Sequence, residues 1–375
     1  MHILFDARAA IPYLPGINRY AASLAAALAE AIAEEPGSKL SLVVPARDAL
    51  PDVPATDAVQ RIVCELSPFD PRQQRALSDI AAACRPDVFH TPFFLVPSIP
   101  GVPSVLTMHD CVPMRCPSET SPQERLLFQA AARSALNACT LSISVSETTR
   151  HDCLSLFPEI LGKFRCIPNG VAADFAPQPP EAREAVARRL GIEGPYLLYV
   201  GSNRPHKNLT NLVAGFARIR HHHPGLRLVL AGAACEPQRR DIEFAKFIDV
   251  GDAVLWPGRV ERADLPALFS GAAALVLPSF YEGFGLPILE AMACGTPVVC
   301  SNAPALRELG GNSVVYFDPR DADSIAEALL ERLDNADLRR RHIADGLSRS
   351  TLYRWRNVAD STLAVYREAI AKATA

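Results

Sequence analysis

The sequence predicts an α/β protein made of two Rossmann-type halves, and three features carry that expectation. Short apolar runs alternate with stretches of helical periodicity along most of the chain, the pattern of parallel strands joined by crossover helices. A polar stretch holding Pro177, Pro179 and Pro180 interrupts that alternation near the middle. The 375 residues favour two or three domains.

In the first half the strand candidates are His2 to Asp6, Leu40 to Val44, Asp87 to His90, Ser104 to Met108 and Thr140 to Val145. An alanine-rich helix from about Asn18 to Ala33 follows the first of them. Prolines fit neither a central strand nor a helix interior, so a linker is expected near residues 172–184. The second half offers Tyr196 to Val200, Leu226 to Ala231, Ala253 to Leu255, Ala273 to Leu277, Pro297 to Cys300 and Val314 to Phe317. The tail from Leu352 to Ala371 has helical spacing, with Trp355, Val358, Leu363, Val365 and Tyr366 available for burial.

Composition narrows the function classes. A 49% hydrophobic and 21% charged chain is ordinary for a soluble globular protein, and a net charge of −3 lacks the basic excess of a nucleic-acid reader. Basic clusters at Arg339-Arg340-Arg341 and from Arg218 to His223 read as solvated helix faces. Ten cysteines occur without a Cys-x-x-Cys pair, and Cys64, Cys139, Cys294 and Cys300 lie in or beside apolar runs, as reduced cysteines of a cytosolic protein would. His109, Cys111 and Cys116 are the one group worth testing as a metal site, and they lack a fourth ligand. The first apolar run, Ile3 to Phe5, is cut short by Asp6 and Arg8, unlike a secretory signal, and no stretch reaches the ~18 apolar residues of a membrane span.

The most informative segment runs from Glu282 to Glu290, two carboxylates around Gly283-Phe284-Gly285-Leu286-Pro287. An apolar run precedes it, Pro287 suits the first helical position, and Gly295-Thr296-Pro297 ends the helix. Free N–H groups at such a loop-to-helix junction, with the positive end of the helix dipole, form an anion site. Were the whole segment helical, the carboxylates would stand ~12 Å apart, too far to share a proton and suited to holding a long ligand at two places.

With Tyr199-Val200-Gly201, Pro205-His206-Lys207-Asn208, Pro257-Gly258-Arg259-Val260, Pro278 to Gly285 and Glu290 to Val299 following in order, the chain resembles the retaining nucleotide-sugar glycosyltransferases of the GT-B fold, glycosyltransferase family 4, among them its mannosyltransferase-like members. The resemblance implies two Rossmann-like domains facing across a cleft: residues 1–172 binding acceptor, residues 185–352 binding the nucleotide-sugar donor, and a C-terminal helix, about 353–375, crossing back to the first domain.

It also implies roles. Glu282 would hold donor sugar hydroxyls and Glu290 the ribose, while Gly283, Phe284, Gly285 and Leu286 supply main-chain donors. Lys207 would neutralise the diphosphate as charge builds on the leaving group. Many relatives carry arginine directly after the glycine where this chain has Ser202, so Arg204, permanently charged, is favoured over His206 as the second cation. Val260 would contact the base through its main chain, and Gly16, in Gly16 to Tyr20, would approach the donor phosphates. His109, in Thr107-Met108-His109-Asp110, would face the reaction centre, with Asp110 beside it. His90-Thr91-Pro92, Ser146-Glu147 and Asn169-Gly170-Val171 would shape the cleft or touch acceptor.

The expectation is therefore a retaining hexosyltransferase, with GDP-mannose as favoured donor and a glycan or glycolipid hydroxyl as acceptor, in cell-surface polysaccharide synthesis. In this family the leaving phosphate oxygen is the usual acceptor of the acceptor's proton, and no Asp-x-Asp metal motif is evident at a strand end, so neither a metal nor another cofactor is expected. The enzyme would be cytoplasmic, with room for peripheral contact at the inner membrane face. An epimerase of the same fold and a non-catalytic two-domain sugar-binding protein are the alternatives; a nicotinamide oxidoreductase is disfavoured because no Gly-x-Gly-x-x-Gly follows the first strand.

Overall fold

The structure, a computed structural model, describes residues 1–10, 15–95, 99–232 and 238–374. It divides into two compact units, one of residues 1–114, 121–170 and 354–375, the other of residues 115–120 and 171–353.

The first unit contains strands β1 (His2–Asp6), β2 (Lys39–Val44), β3 (Val59–Val63), β4 (Val88–Thr91), β5 (Ser104–Met108), β6 (Leu141–Ser144) and β7 (Phe164–Cys166). Between them run α1 (Pro15–Ala33), α2 (Gln73–Cys84), α3 (Val112–Arg115), α4 (Pro122–Ala138) and α5 (Glu147–Leu156). The strands form one parallel sheet in the order β3-β2-β1-β4-β5-β6-β7. Strands β4, β5 and β6 are buried at every position, as expected of parallel strands covered on both faces. Ser121 and Glu124 cap α4 reciprocally, and Ser146 accepts from Thr149 N–H at the start of α5.

The second unit contains β8 (Tyr196–Val200), β9 (Arg227–Ala231), β10 (Val254–Gly258), β11 (Ala274–Leu277), β12 (Val298–Ser301) and β13 (Val314–Phe317). Its helices are α6 (Pro180–Arg189), α7 (Leu209–Ile219), α8 (Gln238–Phe247), α9 (Leu265–Gly271), α10 (Leu286–Ala293), α11 (Pro304–Gly310), α12 (Ala322–Asp334) and α13 (Ala336–Ser350). This parallel sheet has the order β10-β9-β8-β11-β12-β13. The chain reverses direction across each sheet once, between β1 and β4 and between β8 and β11, and ligands of such sheets bind at the carboxyl ends of the strands beside that reversal.

The last helix, α14 (Trp355–Thr374), belongs to the first unit and packs on α1. It buries Trp355, Val358, Leu363, Val365 and Tyr366, each aliphatic side chain contributing about 1.5–3 kcal/mol relative to exposure. The chain reaches it through a close approach: a Cβ on Gly170 would lie 2.6 Å from Trp355 N, so only glycine fits.

The expected linker is shorter than predicted. Pro180 is the first residue of α6, because proline's missing N–H costs nothing in a helix's first turn, so the helix occupies part of residues 172–184. Edge strands β3 and β7 escape a reading based on apolar runs, since half of each faces outward. Likewise Gly16 lies within α1, which starts three residues before the expected Asn18.

Candidate functional site

In the second unit the loops after β8 and β11 flank the reversal point, the first bringing Arg204 and Lys207 and the second Glu282. After β8 the chain makes a 3₁₀ turn, Pro205–Lys207, that ends at Asn208 in the left-handed region (φ 59°). Asn208 is buried, and its amide donates to the carbonyls of Pro278 at 3.0 Å and Pro319 at 2.6 Å, fixing this turn against the ends of β11 and β13. Phe280 N–H donates to His206 O at 2.8 Å.

So held, Lys207 Nζ donates to both oxygens of Glu282, at 2.7 and 2.8 Å, and Ser279 Oγ donates to Glu282 Oε1 at 2.7 Å. Burial of Glu282 opposes its charge, but the Lys207 ammonium and the Ser279 hydroxyl outweigh it and hold the carboxyl below its ordinary range. The two side chains remain 18% and 14% exposed, so the pair is reachable.

Beyond Glu282 the backbone turns at Gly285 (φ +104°), a conformation that side chains rarely adopt, and α10 begins at Leu286. Among the described residues no carbonyl accepts from the N–H groups of Phe284, Gly285 or Leu286, and the helix dipole points its positive end at them.

His206 is 7% exposed, and both its backbone N–H and its Nδ1 donate to Glu119 Oε1. Burial pushes the Glu119 carboxyl up, but these bonds and the His206 ring pull it below its ordinary value. His206 is thus occupied in holding the turn, whereas Arg204 is exposed. Of the two residues considered for the second cation, Arg204 is the one placed to meet solvent.

In the first unit His109 stands just after β5, half-buried. Its Nε2 lies 2.9 Å from Pro92 O. A carbonyl only accepts, so Nε2 carries the proton and Nδ1 the lone pair. The ring meets Tyr20 edge-on, with centroids 4.7 Å apart and planes at 81°. Burial lowers the imidazole's affinity for a second proton, against the opposing pull of Asp110 and the Pro92 carbonyl, so the ring is neutral at neutral pH.

Comparisons with known proteins identify the family. The family model of the glycosyl transferases group 1 matches residues 183–349, and that of glycosyltransferase family 4 matches residues 15–175. O-antigen chain mannosyltransferase B of Escherichia coli is 31% identical over 290 residues, which cover 75% of this chain and 74% of that protein. This chain belongs to the family 4 glycosyltransferases. Glycogen synthase of Mycobacterium tuberculosis is 33% identical over 293 residues, covering 75% of this chain and 69% of the relative. Among solved structures, sucrose-phosphate synthase from Thermosynechococcus elongatus matches with a TM-score of 0.81 at 24% identity, over 99% of this chain and 100% of that one, a likeness of fold. The fold is GT-B.

Several expectations for the glycosyltransferase change in detail. Glu282 lies outside the helix and Glu290 within it, so the 12 Å helical spacing does not describe the segment, and Pro287 takes the second helical position because Leu286 takes the first. Glu290 is only 2% exposed, on the buried face of α10. Ser202 serves its neighbour through its backbone, with Tyr199 OH donating to Ser202 O at 2.5 Å. Val260 follows β10 at a carboxyl edge, and Gly16 is exposed in the first turn of α1.

His90 does not shape a cleft: it is fully buried, bonded to Tyr366 and Thr107. Ser146 serves as a helix cap and Gly170 as the close approach to Trp355. Cys111 Sγ lies 3.7 Å from Cys153 Sγ inside the core, and no group suited to a metal ion occurs among the described residues. The basic clusters lie on solvated faces paired with acids, Arg218 with Asp323, Arg220 with Asp252 and Arg340 with Asp337.

Sequence reasoning missed Glu119 and, while naming the motifs that hold Ser279 and Tyr20, gave those two side chains no role of their own. Asn208 in Pro-His-Lys-Asn carries a usable signal, since asparagine is one of the few residues that tolerates the left-handed region after a turn. Glu119 stands in Cys-Pro-Ser-Glu-Thr, which carries none.

Proposed function

We propose that this protein is a retaining glycosyltransferase that moves a hexose, with mannose favoured, from a nucleotide diphosphate sugar to a hydroxyl of a glycan or glycolipid acceptor. The observation that carries the reading is the Lys207–Glu282 pair at the reversal point between β8 and β11, beside the open N–H groups at the start of α10. Likeness to the E. coli O-antigen chain mannosyltransferase favours mannose as the sugar, and GDP-mannose is the donor to test first.

The second unit binds the donor. A diphosphate takes the place of one partner of Lys207: the ammonium turns to the phosphate oxygens, Arg204 adds a second positive charge, and the N–H groups of Phe284, Gly285 and Leu286 complete the cradle. Glu282, kept ionised, accepts from sugar hydroxyls, while Glu290 serves the ribose and Val260 the base. With two side-chain cations and the helix start supplying charge, the reaction needs no metal ion, and EDTA-treated protein keeps its rate.

The first unit binds acceptor. As the sugar–phosphate bond breaks, the leaving oxygen takes the acceptor hydroxyl's proton on the same face, which retains the anomeric configuration. Neutral His109, with Nε2–H tied to Pro92, presents the Nδ1 lone pair to an incoming hydroxyl and orients it. Among the described residues no helix is long and apolar enough to cross a membrane. As a user of nucleotide sugars the enzyme would work in the cytoplasm, with its acceptor in solution or at the inner membrane face.

The test is a screen of nucleotide sugars followed by product analysis. Transfer to an acceptor with retained anomeric configuration supports the reading. Conversion of the donor sugar without acceptor would instead identify an epimerase, and binding without turnover a sugar-binding protein.

A further inference from the structure

Beneath His109 runs a chain of buried polar groups that the reaction as described does not use. Tyr366 OH lies 2.5 Å from His90 Nδ1, His90 Nε2 lies 2.9 Å from Thr107 Oγ1, and Thr107 Oγ1 lies 3.0 Å from Tyr20 OH. All four side chains are buried, none more than 1% exposed. They come from α14, β4, β5 and α1, and the first bond joins residues 276 apart in sequence.

The chain ends at the ring that packs edge-on against His109. Tyr20 also meets Trp355 of α14 on another side, with centroids 5.8 Å apart and planes at 68°. Among the described residues His109 meets the Pro92 carbonyl at Nε2 and the Tyr20 ring edge-on, and Thr149 Oγ1 donates to its backbone carbonyl at 3.2 Å. Of these only Tyr20 fixes the tilt of the imidazole, because one hydrogen bond leaves a ring free to rotate about its axis. Polar groups without water lose the whole of their solvation when a partner is removed, so a buried chain of this kind specifies one arrangement sharply.

We propose that Tyr20 is the positioning residue for His109, and that Tyr366, through His90 and Thr107, makes the C-terminal helix part of the machinery that sets the imidazole's orientation. The proposal rests on the reading of His109 as an active-site group. Burial drives His90 down to about 3 and keeps it neutral, which suits a link that both donates and accepts.

The experiment combines Tyr20→Phe, Tyr20→Leu, Tyr366→Phe and His109→Gln, with two readouts: turnover with the nucleotide sugar that stabilises the protein, and titration of His109 by NMR. Tyr20→Leu removes the ring and is expected to lower kcat about tenfold or more with donor KM unchanged, since misorientation of a reacting group costs rate rather than binding. Water then reaches His109, so its titration moves up toward 6.5. Tyr20→Phe and Tyr366→Phe keep the packing, should stay folded, and are expected to give smaller losses in the same direction. If these three variants keep wild-type kcat and an unmoved His109 titration while His109→Gln is inactive, the positioning proposal falls and the reading of His109 stands. If His109→Gln is fully active, that reading falls, and the titration alone decides whether Tyr20 orients the ring.

Discussion

The two sheets reverse strand order in the same way, yet the residues gathered at each reversal follow opposite electrostatic rules. At the first, burial keeps groups neutral: His90 and His109 are pushed down, Tyr20 and Tyr366 are pushed up, neutral hydrogen bonds join His90 and the two tyrosines through Thr107, and His109 packs edge-on against Tyr20. At the second, burial is overcome: Glu282 and Glu119 are pulled below their ordinary values by Lys207 and His206. A neutral imidazole with a free lone pair suits the handling of a hydroxyl, and a partly exposed ion pair suits the entry of a phosphate, which can replace one partner at little cost in charge. On the proposed function, one topology serves two kinds of ligand through the choice of which buried groups are paired with charge.

The sharpest way to break this contrast is to remove charge from the second site. Lys207→Ala is expected to lower kcat by about 10²–10³, the scale for loss of one group that stabilises transition-state charge, and to lower Tm while leaving the protein folded, because the Glu282 carboxylate loses the ammonium that offsets its burial. Glu282→Ala should also lose transfer, and steady-state kinetics on both variants measures it. Wild-type turnover in both would remove the site.

A smaller effect is expected from Glu119→Gln, which keeps shape but removes the charge that holds the His206 turn. Donor KM should rise several-fold, consistent with the ~1–3 kcal/mol cost of weakening a buried charged bond, while the His109 titration stays in place. A shift at His109 instead would show that the two sites are not chemically separate.

The contrast also has a pH signature. A histidine whose folded value is depressed contributes stability that is complete above its unfolded value near 6.5 and declines as pH falls, for His90 continuing to about 3. Each such group adds a slope of about 1.4 kcal/mol per pH unit in that window. The carboxylates of the second site, also depressed, begin to lose their contribution only below about 4.5. Hydrogen exchange between pH 7 and 5 should therefore show the core around β4 and β5 weakening before the β8–β11 region. The smallest expected effect is at the surface of α14: Arg356, paired with Glu34 and Asp360 in solvent, is replaceable by alanine without change in rate.

The second site was legible in the sequence because each of its parts lies in a loop directly after a strand with a clear apolar run, although Lys207 and Glu282 themselves are 75 residues apart. Glu282, Gly285 and Leu286 occupy the expected strand–loop–helix context, and Lys207 sits where Tyr196–Val200 ends. The first site was only partly legible. His109 was visible at the end of Ser104–Met108, but the tyrosines that pack around it and anchor that packing come from opposite ends of the chain, and no local pattern announces such a pairing. His90 shows the same limit: a histidine at a strand's end reads as a ligand contact until the packing of α14 over it is known. Strands β3 and β7 were lost for a different reason, being edge strands without an apolar run.

Thermal unfolding of wild type and Lys207→Ala with and without GDP-mannose tests the central claim most directly, namely that the Lys207–Glu282 pair is where a nucleotide diphosphate sugar binds. The wild type should gain about 2.7 kcal/mol at a donor concentration 100 times its Kd, and Lys207→Ala should gain far less at the same concentration. Equal stabilisation of the two proteins would contradict it.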